Sequence, residues 1–271
     1  MYIGFIGDIV GRPGRKIIKE NLKKLKDEFN IDFVIANGEN ASHGFGLTIK
    51  NCDELLKSGI DIITGGNHSF DKRADMEALL KSPNVLRPDN YPQGVSGTGL
   101  AIKELINGEK IAVLNLMGIY GMPTTENPFN WATKRIEELH AQNIKNIIID
   151  FHAEATSEKR VMMMMFKSQV SAIFGTHTHV GTDDLTICED TAYLSDIGLT
   201  GCRDNVIGMD SHVPIKKATT GLGGHFDVPN NCKSILQMVV TQIENEKAID
   251  AFKIKLYDDG QRVITKAFCE K

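Results

Sequence analysis

Apolar runs that end in glycine and a polar side chain recur along the first part of the chain. Residues 2–6 form a short β-type run closed by Gly7-Asp8. A second run, 32–36, is closed by Asn37-Gly38-Glu39-Asn40, and a third, 60–64, by Gly65-Gly66-Asn67-His68. Between the first two, Ile17, Ile18, Leu22, Leu25 and Phe29 recur at helical spacing and predict an amphipathic helix over 15–29, after a tight loop at Gly11, Pro13 and Gly14. A glycine-rich loop over 41–46 leads to a second helix, which Thr48 is placed to cap. Such strand–loop–helix units of roughly thirty residues suit right-handed β-α-β crossovers.

Further on, 111–116 reads as a strand and 131–141 as a helix. The stretch 146–179 holds two buried strands around a helix. The first ends in Asp150-Phe151-His152, the second in Gly175-Thr176-His177-Thr178-His179. Met162 to Met165 falls within that helix and reads as flexible packing. Strands follow at 185–188, 192–194, 234–241, 248–256 and 262–267, while 84–108, 117–130 and 198–228 stay irregular. No repeat, linker or low-complexity segment divides the chain, so a single α/β domain over 1–271 is expected.

In open α/β sheets ligands bind at the carboxyl ends of the strands. Asp8, Glu39, Asn40, Asn67, His68, His152, His177 and His179 all fall there. Each alone has a simpler reading: a strand-end Asp caps the next helix, and a lone histidine packs. Four histidines with two carboxylates and two amides on one rim point instead to a metal. Mixed nitrogen and oxygen donors suit Mn, Fe or Zn better than Ca or Mg. His177 and His179 share a face if the strand runs on and diverge if a turn intervenes; both geometries stay open.

Charge and composition narrow the classes. A net charge of −4 supplies no overall basic field for nucleic acid. No apolar run reaches membrane-spanning length, and the N-terminus lacks an export signal, so a cytoplasmic location is expected. The five cysteines are odd in number, widely spaced and without C-x-x-C, and are expected as reduced thiols. Residues 7–16 miss the phosphate-loop register, and the glycines of 221–224 open no helix. Asp71 and Asp75 read as helix-start carboxylates, His43 as exposed, His140, His212 and His225 as structural or exposed, and Tyr120, Phe129 and Trp131 as packing rather than a base-stacking platform.

The ordered set Asp8, Gly38-Glu39-Asn40, Gly66-Asn67-His68, His152 and His177-x-His179 resembles the calcineurin-like metallophosphoesterases. Three features depart from the general pattern. Val10 stands where a histidine is usual, Glu39-Asn40 where an Asp is usual, and Thr176 separates Gly175 from His177. Those departures, with Asp8-Ile9-Val10-Gly11-Arg12-Pro13-Gly14 and Asn37-Gly38-Glu39-Asn40-Ala41, closely resemble the YmdB branch.

The resemblance implies a four-layer α/β/β/α sandwich with two mixed β-sheets flanked by helices. It also implies two divalent or mixed-valence metal ions, with Fe or Mn preferred and Zn admissible, and hydrolysis of 2′,3′-cyclic nucleotides at the bond to the 2′ oxygen. Carried over by position, Asp8, Glu39, Asn40 and His179 would hold one ion. Glu39 as a bridge, with Asn67, His152 and His177, would hold the other, and Asn40 would replace the ligand missing at Val10. A hydroxide between the ions is then the expected nucleophile and His68 the general acid. The expected partner is a small phosphoester or nucleotide, with no membrane, no extended nucleic-acid surface and a homo-oligomer admitted. Two rival readings are a metal-dependent phosphatase for another ester and a non-catalytic regulator that binds metal and nucleotide.

Overall fold

The computed structural model describes residues 1–105 and 108–270. In chain order its elements are β1 (Tyr2–Ile6), α1 (Gly11–Phe29), β2 (Phe33–Asn37), α2 (Ile49–Lys57), β3 (Ile62–Thr64), α3 (Arg73–Leu79), β4 (Leu100–Glu104), β5 (Lys110–Met117), α4 (Pro128–Ala141) and β6 (Ile147–His152). Then come α5 (Thr156–Phe166), β7 (Ala172–Thr176), β8 (Thr186–Cys188), β9 (Thr191–Leu194), β10 (Gly201–Cys202), α6 (His212–Thr220), β11 (Ser234–Glu244), β12 (Lys247–Tyr257), β13 (Arg262–Lys266) and β14 (Phe268–Glu270).

The strands form two mixed sheets. One has the order β13-β12-β11-β1-β2-β3, with β10 attached to β11; the other runs β14-β8-β9-β7-β6-β5-β4. Within them β1, β2 and β3 are parallel, as are β5, β6 and β7. The carboxyl ends of each parallel set therefore share an edge.

Side-chain alternation along the strands sets the layers. Ile3, Phe5, Ile35 and Ile62 face the other sheet, where they meet Val113, Ile148, Ala172 and Phe174. Their neighbours Ile6, Val34 and Ala36 face the opposite way, onto Ile17, Ile18 and Leu22 of α1 and Leu55 of α2. On the second sheet Leu114, Ile149 and Phe151 pack against Ile136 and Leu139 of α4 and Met162 and Phe166 of α5. Helix, sheet, sheet and helix are thus stacked as the family resemblance implies. Strands buried on both faces read as nearly continuous apolar runs, which is why the central ones were legible.

Several details differ from the sequence reading. The loop expected at Gly11 to Gly14 is the first turn of α1. Pro13 is tolerated there because the first turn makes no intrahelical N–H bond. Gly14 lies against the Thr200 carbonyl, whose oxygen a Cβ at that position would overlap. The segments read as irregular hold β4, β10 and α6. Strand β10 has only two residues and α6 buries none, so neither carries a hydrophobic period.

The expectation of five reduced thiols is corrected. Cys202 and Cys232 form a disulfide across a sequence separation of 30, while Cys52, Cys188 and Cys269 stay reduced. The pairing follows from topology. Cys202 sits opposite Ser234 in the β10–β11 ladder, so Cys232, arriving just before β11, comes alongside it.

A non-reducing digest should yield one cross-linked peptide pair containing Cys202 and Cys232, with alkylation confined to the other three cysteines. Replacing both by Ser should lower unfolding stability by about 2–4 kcal/mol. Full alkylation of all five without reduction would contradict the pairing.

Candidate metal centre

The parallel strands of the two sheets end side by side, and their ends supply the candidate residues. Asp8 follows β1, Glu39 and Asn40 follow β2, and Asn67 and His68 follow β3. His152 closes β6, and His177 and His179 follow β7. Gly66 keeps the approach open, since a Cβ there would collide with the His152 ring and with Glu39 Oε2. His177 and His179 both adopt positive φ, 99° and 64°. The chain therefore turns after Thr176 and aims the two rings at different groups, which resolves the geometry that the spacing left open. Non-glycine residues in that region are uncommon and concentrate at functional sites.

The turn is held from below by a buried ion pair. Lys159 Nζ reaches Asp196 Oδ2 at 2.9 Å and donates to the Thr176 carbonyl at 3.0 Å. Asp196 Oδ2 also accepts from the Thr178 N–H.

The first group centres on His152. Its Nε2 lies 3.0 Å from Glu39 Oε1, 3.1 Å from Asn67 Oδ1 and 3.1 Å from His177 Nδ1. The other ring nitrogen, Nδ1, is 2.9 Å from Thr176 Oγ1. That hydroxyl donates its single proton to Asp150 Oδ1 at 2.7 Å, so it accepts from His152 Nδ1–H. In the neutral ring Nε2 then carries the lone pair, and it faces a carboxylate oxygen and an amide oxygen that themselves only accept. Acceptors converging at this spacing suit a coordination shell, in which adjacent donors at metal–nitrogen distances of ~2.0–2.1 Å lie near 3 Å apart.

The second group centres on His179. Its Nδ1 donates to the Ile207 carbonyl at 2.8 Å, which leaves Nε2 bare. Nε2 faces Asn40 Oδ1 at 3.3 Å and Asp8 Oδ1 at 3.8 Å, both acceptors. The Asn40 amide is oriented by Nδ2, which donates to the Gly44 carbonyl, so its oxygen must face His179. Val10 takes no part. Its side chain is buried against Leu199, Met209 and Ile235. The donor chemistry of both groups thus fits cations, with Asn40 facing His179 and Val10 packed away from it.

Electrostatics point the same way. Burial pushes the Asp8 carboxyl up, against the pull of His179 and His152. Burial also acts to raise Glu39, but the charge and hydrogen bond of His152 and the His68 backbone N–H outweigh it and take it to about 2. Burial lowers His152, yet Glu39, Asp8 and Asp150 around it bring it to about 9. Burial and the neighbouring His152 push His177 down to about 3. So much negative charge beneath so many imidazoles is a setting a cation complements.

His68 lies at the edge of the first group. Its backbone N–H donates to Glu39 Oε2 at 2.9 Å, and its ring Nδ1 is 2.7 Å from Asp71 Oδ2. Asp71 thus departs from its expected helix-start role, whereas Asp75 lies in the first turn of α3 as expected. His43 is exposed, Tyr120 is exposed, and Phe129 and Trp131 pack on the core. Residues missed by the sequence reading are those behind the donors: Asp71, Asp150, Thr176, Glu154 and Asn37, whose amide bonds Asp150 Oδ2 at 3.1 Å.

This fold matches known proteins over nearly the whole chain. A family model described as YmdB-like protein matches residues 5–255. The chain belongs to the YmdB-like family. It is 43% identical to a 2′,3′-cyclic-nucleotide 2′-phosphodiesterase of Bacillus subtilis, over 96% of this chain and 98% of that one. A crystal structure of a novel phosphatase from Mycoplasma pneumoniae is 35% identical with a TM-score of 0.89, covering 95% of this chain and 93% of that one. A hypothetical protein from Thermus thermophilus is 31% identical with a TM-score of 0.88, over 98% of this chain and 100% of that one. The YmdB-like family shares the calcineurin-like metallophosphoesterase fold, which implies divalent metal ions. No helix among the described residues is long and apolar enough to cross a membrane.

Thr176→Val removes the hydroxyl through which Asp150 fixes the His152 tautomer. Metal affinity, measured by chelator competition, should fall about 10–100-fold. Unchanged affinity would show that His152 needs no such partner.

Proposed function

We propose that this chain opens 2′,3′-cyclic nucleotides at the bond to the 2′ oxygen, using two metal ions with Glu39 shared between them. The observation that carries the reading is the pair of adjoining groups in which imidazole nitrogens converge with carboxylate and amide oxygens. Glu39, Asn67, His152 and His177 would hold one ion, and Asp8, Glu39, Asn40 and His179 would hold the other. The chain is a phosphoric diester hydrolase, in line with its Bacillus subtilis relative, and the cyclic-nucleotide substrate is taken from that relative's activity.

When bound, two such ions, preferably Mn or Fe, would supply hydroxide at neutral pH and would neutralise charge on the phosphoryl oxygens. The protein's residues do the rest. The carboxylates of Asp8 and Glu39 are fixed before substrate arrives, because both are buried among hydrogen-bond donors. His68 is assigned as general acid: Asp71 holds its Nδ1–H, which leaves Nε2 to protonate the departing 2′ oxygen. An alkoxide is a poor leaving group, and a positioned proton donor contributes typically ~10²–10⁴-fold.

The second reading, hydrolysis of another phosphoester, is favoured by the phosphatase from Mycoplasma pneumoniae, whose fold this chain shares. A panel of 2′,3′-cyclic, 3′,5′-cyclic and monoester substrates separates the two. The expected result is turnover of 2′,3′-cyclic nucleotides to 3′-phosphates, and faster release of phosphate from monoesters would favour the alternative. Binding without turnover of any substrate would make the protein a regulator. His68→Ala should slow turnover by about 10²–10⁴-fold with metal content unchanged. Loss of metal in that variant would make His68 a ligand.

A further inference from the structure

Phe45 stands beside the candidate proton donor. Its ring centroid lies 5.0 Å from that of His68, and the two planes meet edge to face at 72°. The side chain is half-buried and packs on the apolar cluster of Val10, Leu199, Met209 and Ile235. Phe70, two residues after His68, pairs with Tyr91 instead.

Local structure presents this ring at the rim. Gly44 and Gly46, on either side of it, take φ of 87° and 73°, so the backbone turns both before and after Phe45. The Ser42 N–H donates to the Gly46 carbonyl at 2.9 Å and the Phe45 N–H to the Ser42 carbonyl at 3.3 Å, which closes the loop. Asn51 Nδ2 donates to Ser42 Oγ at 2.7 Å and ties the loop to α2. At the same time the Gly44 carbonyl holds the Asn40 amide. One loop therefore orients a candidate metal donor and carries a ring against His68. An aromatic side chain fixed in this way loses little conformational entropy when a ligand arrives.

We propose that Phe45 is the platform on which the nucleobase of the substrate stacks, and that it selects nucleotides over phosphodiesters without a base. This deepens the cyclic-nucleotide reading given above and rests on it. In a 2′,3′-cyclic nucleotide the 2′ oxygen is carried on C2′ and the base on the adjoining C1′. The ribose itself thus brings the base close to the group that protonates the 2′ oxygen. Opening at the 3′ oxygen would put the base one carbon further from that donor. An aromatic surface touching His68 lies where the base arrives when the 2′ bond is the one that breaks. Stacking suits the task because every base offers a π face, so purines and pyrimidines are both accepted.

The test uses the full chain loaded with Mn and compares 2′,3′-cyclic AMP with a ribose 2′,3′-cyclic phosphate that lacks a base. Phe45→Leu keeps an apolar side chain on the cluster and removes the ring. In this variant the ratio of kcat/KM for the nucleotide to that for the base-free ester should fall about 5–150-fold. Phe45→Trp keeps a stacking surface and should hold the ratio near that of the wild type. Equal loss on the two esters, or loss on neither, would overturn the platform. Affinity for adenosine 3′-monophosphate, measured by calorimetry, reads the same contact without turnover and should fall in Phe45→Leu. Unchanged affinity there would also overturn the platform. Wild-type protein that binds the monophosphate through Phe45 yet opens no cyclic nucleotide would instead overturn the cyclic-nucleotide reading.

Discussion

The rim is governed by one constraint: Asp8 and Glu39 carry carboxylates that are fully buried where the edges of two sheets meet. Buried charge is costly unless it is paired and hydrogen-bonded. Here the pairing groups come from across the gap. Asp8 accepts the His177 backbone N–H, and Glu39 meets His152 and the His68 N–H. The first sheet thus supplies most of the oxygen donors and the second supplies the imidazoles. Neither half is a site alone, and the inter-sheet core, with Phe5 against Phe174, is what holds them in register.

Behind the donors lies a layer whose work is to settle where protons sit. Asp150 is itself pushed up to about 6 by burial, against the pull of His152, Thr64 and Thr176. Through Thr176 it fixes one ring, while the Ile207 carbonyl fixes another. The Gly44 carbonyl does the same for the Asn40 amide, turning its oxygen inward. Orientation by such partners lets a few side chains act as ligands without rearranging when a cation arrives.

Much of this was legible because strand ends announce themselves. A buried apolar run followed by glycine and a polar residue placed Asp8, Glu39, Asn67, His152 and His177 on one rim before any coordinates. The supporting layer was not legible, since its pairings join residues far apart in sequence, such as Asn37 with Asp150. Asp71 looked like a helix-start carboxylate because α3 begins two residues later, yet its oxygen is taken by His68. The Cys202–Cys232 bond escaped for a related reason: strand pairing, not spacing, brings the two together. Val10 marked a departure from the general family pattern. Only geometry reveals that it packs into a small apolar cluster while Asn40 faces His179.

In the proposed arrangement two cations share Glu39 at this rim. Anomalous diffraction from crystals of the full chain grown with Mn tests it most directly. Two peaks are expected, one among Glu39, Asn67, His152 and His177 and one among Asp8, Glu39, Asn40 and His179. A single peak at saturating Mn, or peaks that leave Glu39 in contact with only one ion, would contradict it.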